Sequence, residues 1–167
     1  STNTVNLTAG STPITVNNAF VLSSGTLNDN SNIIQVKGSC QNDATHVYGG
    51  AGSGIVLNGT SQQTLTGNGR FGKLTINNSN GIDVPIGNSF IITNDLSLQS
   101  GVLNIGRNLL DFDLNATITP VSAFSSTNMI QTNTSIVDNG VRKLLPSGGS
   151  SFTFPMGSGG KYTPVTL

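Results

Sequence analysis

Apolar residues along this chain come in short bursts that alternate with polar ones. Ile14-Thr-Val16, Phe20-Val-Leu22, Thr26-Leu27, Ile33-Ile34-Gln-Val36, Ile55-Val-Leu57, Thr64-Leu-Thr66, Leu74-Thr-Ile76, Phe90-Ile-Ile92 and Leu96-Ser-Leu98 are each bounded by Gly, Asn or Ser. Alternation puts successive side chains on opposite faces of an extended backbone, and the bounding residues are the ones that turns demand. The pattern predicts many short strands and an all-β chain. Hairpin sheets share this local pattern, so alternation alone does not choose between a sandwich and a solenoid.

A longer-range regularity favours the solenoid. Asn18-Ala-Phe-Val-Leu22-Ser-Ser-Gly25-Thr-Leu27-Asn28 matches Asn94-Asp-Leu-Ser-Leu98-Gln-Ser-Gly101-Val-Leu103-Asn104 without a gap, at an offset of 76 residues. Asn32, Ile33, Ile34 and Val36 fall on Asn108, Leu109, Leu110 and Phe112, and Ile14 and Val16 fall on Phe90 and Ile92. Tandem similarity of this kind belongs to stacked arrays. Asn also recurs just after strand positions, at Asn28, Asn58, Asn77, Asn78 and Asn104. There its amides are expected to stack into hydrogen-bonded ladders, and it tolerates the left-handed backbone of tight corners. Coils of roughly 20–25 residues at about 4.8 Å spacing predict a rod on the order of 30–40 Å tall, with solenoid coils over residues 1–120. From Val121 onward prolines concentrate, and Pro is poorly tolerated in central strands. Residues 121–167 are read as terminal coils, a short C-terminal β extension or the start of a following β-domain.

Composition sharpens this picture. Charged residues are 8% of the 167, seven Lys plus Arg against seven acids that are all Asp. Soluble domains carry about 25%. Helix-favouring surface residues are scarce, and Asn, Ser, Thr and Gly supply the polar surface. A net charge of zero, with no basic patch or interleaved aromatics, argues against a nucleic-acid partner. No stretch of 18 apolar residues predicts a membrane-spanning helix. The lone Cys40 has no internal disulfide partner, so stability must come from a regular hydrogen-bonded core. The chain starts without Met or an export signal, which reads as an excised part of a longer protein.

Three stretches carry a family resemblance. Gly54-Ile-Val-Leu-Asn-Gly-Thr-Ser-Gln-Gln-Thr-Leu-Thr-Gly-Asn-Gly69 with Leu74-Thr-Ile-Asn-Asn78 resembles a repeat of very large surface proteins of the Bacteroidetes group. The LxSGxLNxGxN pattern from Leu98 to Asn108, and the closing Phe154-Pro-Met-Gly-Ser-Gly-Gly-Lys-Tyr-Thr-Pro-Val-Thr-Leu167, are similar to the same family. The resemblance implies a right-handed parallel β-helix (β-solenoid), secretion to the extracellular cell surface and an adhesive or matrix-like role. It supplies no catalytic residues.

Candidate chemistry is sparse. Asp111-Phe-Asp113 sets two carboxylates on one strand face, a weak calcium candidate or glycosidase pair, although alternation also predicts two solvent-facing acids flanking a core Phe112. His46, with Cys40 and Asp43 nearby, lacks the further ligands that zinc needs and the orienting group that a thiol nucleophile needs. It is expected to be a loop histidine beside an inert, buried thiol. Asp29-Asn-Ser-Asn32 lacks calcium-loop spacing and reads as a turn. Thr2/Thr4, Thr64/Thr66, Thr117/Thr119 and Thr132/Thr134 fall at irregular intervals, unlike a ranked ice-binding face. Gly157-Ser-Gly-Gly160-Lys161 misses the first glycine and the final Ser or Thr of a phosphate loop, and reads as a turn. Tyr48 and Tyr162 are the candidate sugar platforms.

These observations predict a structural or adhesive segment of a secreted cell-surface protein rather than an enzyme, with no cofactor. Its expected partners are neighbouring copies of itself or surface glycans, through polar surface contacts. A carbohydrate-binding or polysaccharide-cleaving β-helix is the alternative, and ice binding a third.

Overall fold

A computed structural model describes residues 3–10, 12–133, 136–148 and 151–167. The fold is all-β, and its mostly parallel strands stack as a β-solenoid of about seven turns. Each turn lays down up to three strands, one on each of three faces, here A, B and C.

The first turn contributes β1 (Thr4–Asn6), β2 (Ile14–Val16) and β3 (Phe20–Leu22). The second follows with β4 (Thr26–Asn28), β5 (Ile33–Val36) and β6 (Cys40–Asn42), and the third with β7 (Thr45–Val47), β8 (Gly54–Leu57) and β9 (Gln63–Thr66). In the fourth and fifth turns faces A and B run together, as β10 (Arg70–Asn77) then β11 (Ile82–Asp83), and β12 (Phe90–Ser100) then β13 (Leu103–Gly106). The sixth turn is β14 (Leu109–Phe112), β15 (Thr117–Pro120) and β16 (Ile130–Thr132). The chain closes with β17 (Gly140–Lys143), β18 (Thr153–Phe154), β19 (Met156–Ser158), β20 (Lys161–Tyr162) and β21 (Val165–Thr166).

Register makes the alternation of the sequence into columns. On face A, Val5, Leu27, His46, Phe71, Ile92, Phe112 and Lys143 lie one above another. Face B stacks Ile14, Ile34, Ile55, Leu74, Leu96 and Ile118. Ile55, Leu74, Leu96, Phe71, Ile92 and Phe112 are fully buried. Burying an aliphatic or aromatic side chain of this size stabilises by about 1.5–3 kcal/mol. The core is therefore a narrow apolar shaft, filled rung by rung.

From Leu27 to Phe112 each step of the face A column advances the chain by 19 to 25 residues. Three steps carry Leu27 to Ile92 and a fourth to Phe112, whereas the 76-residue offset carries it to Leu103 on face C. Likewise Ile14 and Val16 of face B match Phe90 and Ile92 of face A. The repeat is thus rotated by one face. What it preserves is the corner. Asn32 and Asn108 each donate their backbone N–H (2.9 Å in both) and their side-chain amide to the carbonyl three residues back, Asp29 and Ile105. Each also reaches down one coil, to the carbonyls of Thr8 and Val84 (2.9 and 2.8 Å). Gly25 and Gly101 both have positive φ (83° and 92°), and a Cβ at either would collide with the carbonyl of Asn3 or Asn78 one coil below.

The asparagine ladders differ from expectation in the same way. Asn77 is exposed, Asn28 accepts from Asn30 N–H in its own turn, and Asn104 donates to Asp83. No amide stacks on the equivalent amide of the next coil among these bonds. Instead, buried amides bond to backbone carbonyls of a neighbouring coil: Asn78 to Ser61, Asn42 to Arg70, Asn128 to Leu98, and Gln63 to Val36 and Gly38. Corners leave carbonyls without ladder partners, and these amides satisfy them.

Residues beyond 120 continue the stack. β16 and β19 extend face C in parallel, and β17 extends face A, over longer intervals such as Leu103 to Ile130 and Phe112 to Lys143. The order then changes, because β19 pairs antiparallel with β20 and β18 antiparallel with β21.

Candidate functional site

Face A carries two outward arginine–aspartate pairs. Phe112 points into the shaft, so its neighbours Asp111 and Asp113 project outward, as alternation requires. Register then sets Arg142 directly above Asp111, and the guanidinium donates to both carboxylate oxygens at 3.0 and 2.6 Å. Arg70 Nη2 donates to Asp113 Oδ2 at 2.7 Å from two coils below. Calcium needs several oxygens with surplus negative charge. Here each carboxylate faces its own arginine, and no group of three or more His, Cys, Asp or Glu side chains converges among the described residues. On face B, Asp95 accepts from the hydroxyls of both Thr117 and Thr119 at 2.8 and 2.5 Å, which turns this Thr-x-Thr pair toward a carboxylate. Thr2 and Thr134 lie outside the described residues.

His46 corrects the expectation of a loop histidine. It sits on β7 in the inward column of face A, between Leu27 and Phe71, and is buried. Its Nε2 lies 3.0 Å from Asp29 Oδ2, with both side chains fully out of solvent. The carboxylate is an acceptor, so the proton belongs on Nε2, and Nδ1 is buried with no hydrogen-bond partner. Asp29 also accepts from Ser31 N–H at 3.0 Å and Gly49 N–H at 2.7 Å. Burial acts to raise the Asp29 pKa. The hydrogen bonds from His46, Gly49 and Ser31 and the attraction of His46 outweigh it and hold the pKa below the usual value. Asn30 and Ser31 bend the chain around this carboxylate with φ of 46° and 66°. The turn at Asp29–Asn32 is real, and its purpose is to fold an acid inward.

Cys40 and Asp43 do not join this pair. Cys40 is buried on face C, where desolvation pushes its pKa up to about 12 and keeps it a thiol. Asp43 is exposed and accepts from Gln41 and from Asn68 N–H. Tyr48 follows β7 beside Lys73, whose Nζ lies 5.9 Å from its ring centre, while Tyr162 lies in β20 at the end of face C. The two tyrosines do not share a surface. The Gly157–Lys161 stretch is the β19–β20 hairpin, with Gly159 and Gly160 at positive φ.

Among the clefts that the described residues form, two lie over the later turns. One, of about 340 Å³, lies between Ser79, Gln99–Gly101 and the long sixth-turn corner with Ser122, Ser125, Thr127 and Asn128, and no charged side chain lines it. The other, of about 300 Å³, lies where face C turns toward face A, over the fourth to sixth turns. Asp83 and Asn104 project into it from adjacent rungs, joined by a 2.8 Å bond from Asn104 Nδ2 to Asp83 Oδ1. Arg107 enters from the turn after Gly106, and Pro85 and a largely exposed Ile86 (75%) form an apolar wall. The sequence offered no sign of this grouping, since Asp83 and Arg107 come to line one cleft only when one coil is wound onto the next.

Comparison with known proteins finds no matching family model, no matching curated protein and no matching solved structure. The resemblance to Bacteroidetes surface repeats therefore rests on the chain's own motifs.

Proposed function

We propose that this chain is a structural segment of a secreted, adhesive cell-surface protein of the Bacteroidetes surface-repeat kind, serving as a stiff rod with a polar surface. The observation that carries the reading is the triple fastening of each coil to the next. Parallel ladders run up three faces, apolar columns fill the shaft, and buried amides pin the corners. The inter-coil hydrogen bonds lie along the axis, so a load between the ends acts on all of them. Exposed Asn, Ser and Thr leave the surface free to meet glycans or other copies.

Single-molecule pulling between the termini tests this directly. Release of one coil of about 20–25 residues should lengthen the chain by about 70–90 Å, giving successive force peaks of that spacing. Extension without force-bearing steps would sink the reading. The role is also read as non-catalytic, so polysaccharides incubated with the chain should gain no new reducing ends; their release would favour a cleaving β-helix instead.

A further inference from the structure

We infer that the Asp83–Arg107 cleft is a binding site for a carboxylate-bearing sugar, a hexuronate unit of an acidic polysaccharide. The inference deepens the adhesive part of the reading above and rests on it. Its starting point is a contrast among the three arginines. Arg70 and Arg142 each close onto an aspartate at 2.7 and 2.6 Å. Arg107 is exposed and forms no ion pair among the described residues, although Asp83 lines the same cleft. A chain with so few charges has placed two opposite ones around one opening without letting them neutralise each other.

The surrounding atoms fix what such an opening accepts. The backbone of Arg107 is tethered, since its carbonyl accepts from both Asn139 N–H and Asn139 Nδ2 at 3.1 Å. The base of this side chain is thus fixed where it lines the cleft, and the planar guanidinium donors match a carboxylate bidentately. Asn104 occupies Asp83 Oδ1, and Asn104 Oδ1 in turn accepts from Gly106 N–H at 3.3 Å, so the carboxylate is oriented with Oδ2 left to accept from hydroxyls. Pro85 and Ile86 supply an apolar wall for the C–H face of a pyranose ring. A hexuronate carries all three complements on one ring: a carboxylate, neighbouring hydroxyls and an apolar face. A volume of about 300 Å³, open to solvent, holds one such unit and lets a polymer pass.

The test is calorimetric titration of the folded chain with oligogalacturonate, against a neutral galactose oligomer of the same length. Binding of the uronate with at least tenfold preference, weakened by added salt, is expected. Arg107→Ala should reduce affinity by about tenfold or more, and Arg107→Lys should recover only part, because a point charge lacks the fork. Asp83→Ala should weaken binding by removing the hydroxyl acceptor. Circular dichroism of each variant should match the parent, since both side chains lie on the surface. Equal affinity for neutral and acidic oligomers, an unaltered Arg107→Ala titration, or selective binding of free amino acids would each overturn the assignment. The site is measured by titration and the rod by pulling, so either can fail while the other stands.

Discussion

The two ends of the solenoid are finished differently. At the first described turn the face A and face B columns start with Val5 and Ile14, which are 57% and 40% exposed, and β1, β2 and β3 each pair on one side among the described residues. At the last turn the face A column ends in Lys143. Its Nζ donates to the carbonyls of Asp113 and Leu114, and burial lowers its pKa while Asp113 opposes the change. Phe152 and Phe154 then fold over the shaft, the Phe152 ring centre 6.0 Å from Phe112 and 4.8 Å from Phe154, and the parallel order gives way to the antiparallel pairs β18–β21 and β19–β20. Near the first end the main tie is polar, with His46 standing in the column where later turns hold Phe71 and Phe112. Among the described residues, the aromatic pair covers the shaft over the last turns, whereas the column residues of the first turn lie open to solvent.

The sharpest break of this contrast comes at Phe112. It is fully buried under the aromatic cover, and Phe112→Ala should cost about 3–5 kcal/mol in urea unfolding, the range for large core truncations. Asp29→Ala comes next, at about 3 kcal/mol, because it strands His46 and two backbone donors inside the fold. The same pair predicts an acid response. A carboxyl whose folded pKa lies below its unfolded value of about 3.9 stabilises above that value and loses the contribution as pH falls through the folded one. The urea midpoint should therefore fall as pH drops below about 4, and Asp29→Asn should flatten that fall. An unchanged slope in the variant would remove Asp29 from the account. Phe154→Ala should cost about 2 kcal/mol, with faster amide exchange confined to the last two turns. Val5→Ala should stay within about 0.5 kcal/mol, since the side chain is already in water. Equal losses at Val5 and Phe112 would show that the first end is also covered.

How much of this was legible follows from what each residue answers to. Alternation marks Ile55, Leu57, Leu74 and Ile76 as inward because a strand's in-out choice is local. The corner at Gly25 and Gly101 was visible for the same reason, since a corner is a few residues long. The coil was not. Corners between separate strands of the coils take between two and nine residues, and in β10 and β12 faces A and B run on without one, so chain distance does not count turns, and the 76-residue match aligned corners while slipping one face. The contacts of Asp29 with His46 and of Asn108 with Val84, and the placing of Asp83 and Arg107 around one cleft, are made by winding. No local pattern announces them. His46 was misplaced to a loop because a lone polar residue among Thr45 and Val47 reads as surface until its buried acid partner is found.

Spin-label distances along the outward column of face A measure whether successive coils stack in register, one rung apart. Thr4, Thr26, Thr45, Arg70 and Ile91 succeed one another there. Cysteines placed at Thr4 and Ile91 can be labelled selectively, because the native Cys40 thiol is buried and held protonated. Four rungs at about 4.8 Å predict a separation near 19 Å between the labelled backbones, and moving the first label to Thr26 should shorten it by one rung. A separation that does not shorten by that step, or one far longer, would contradict the stacked-coil account.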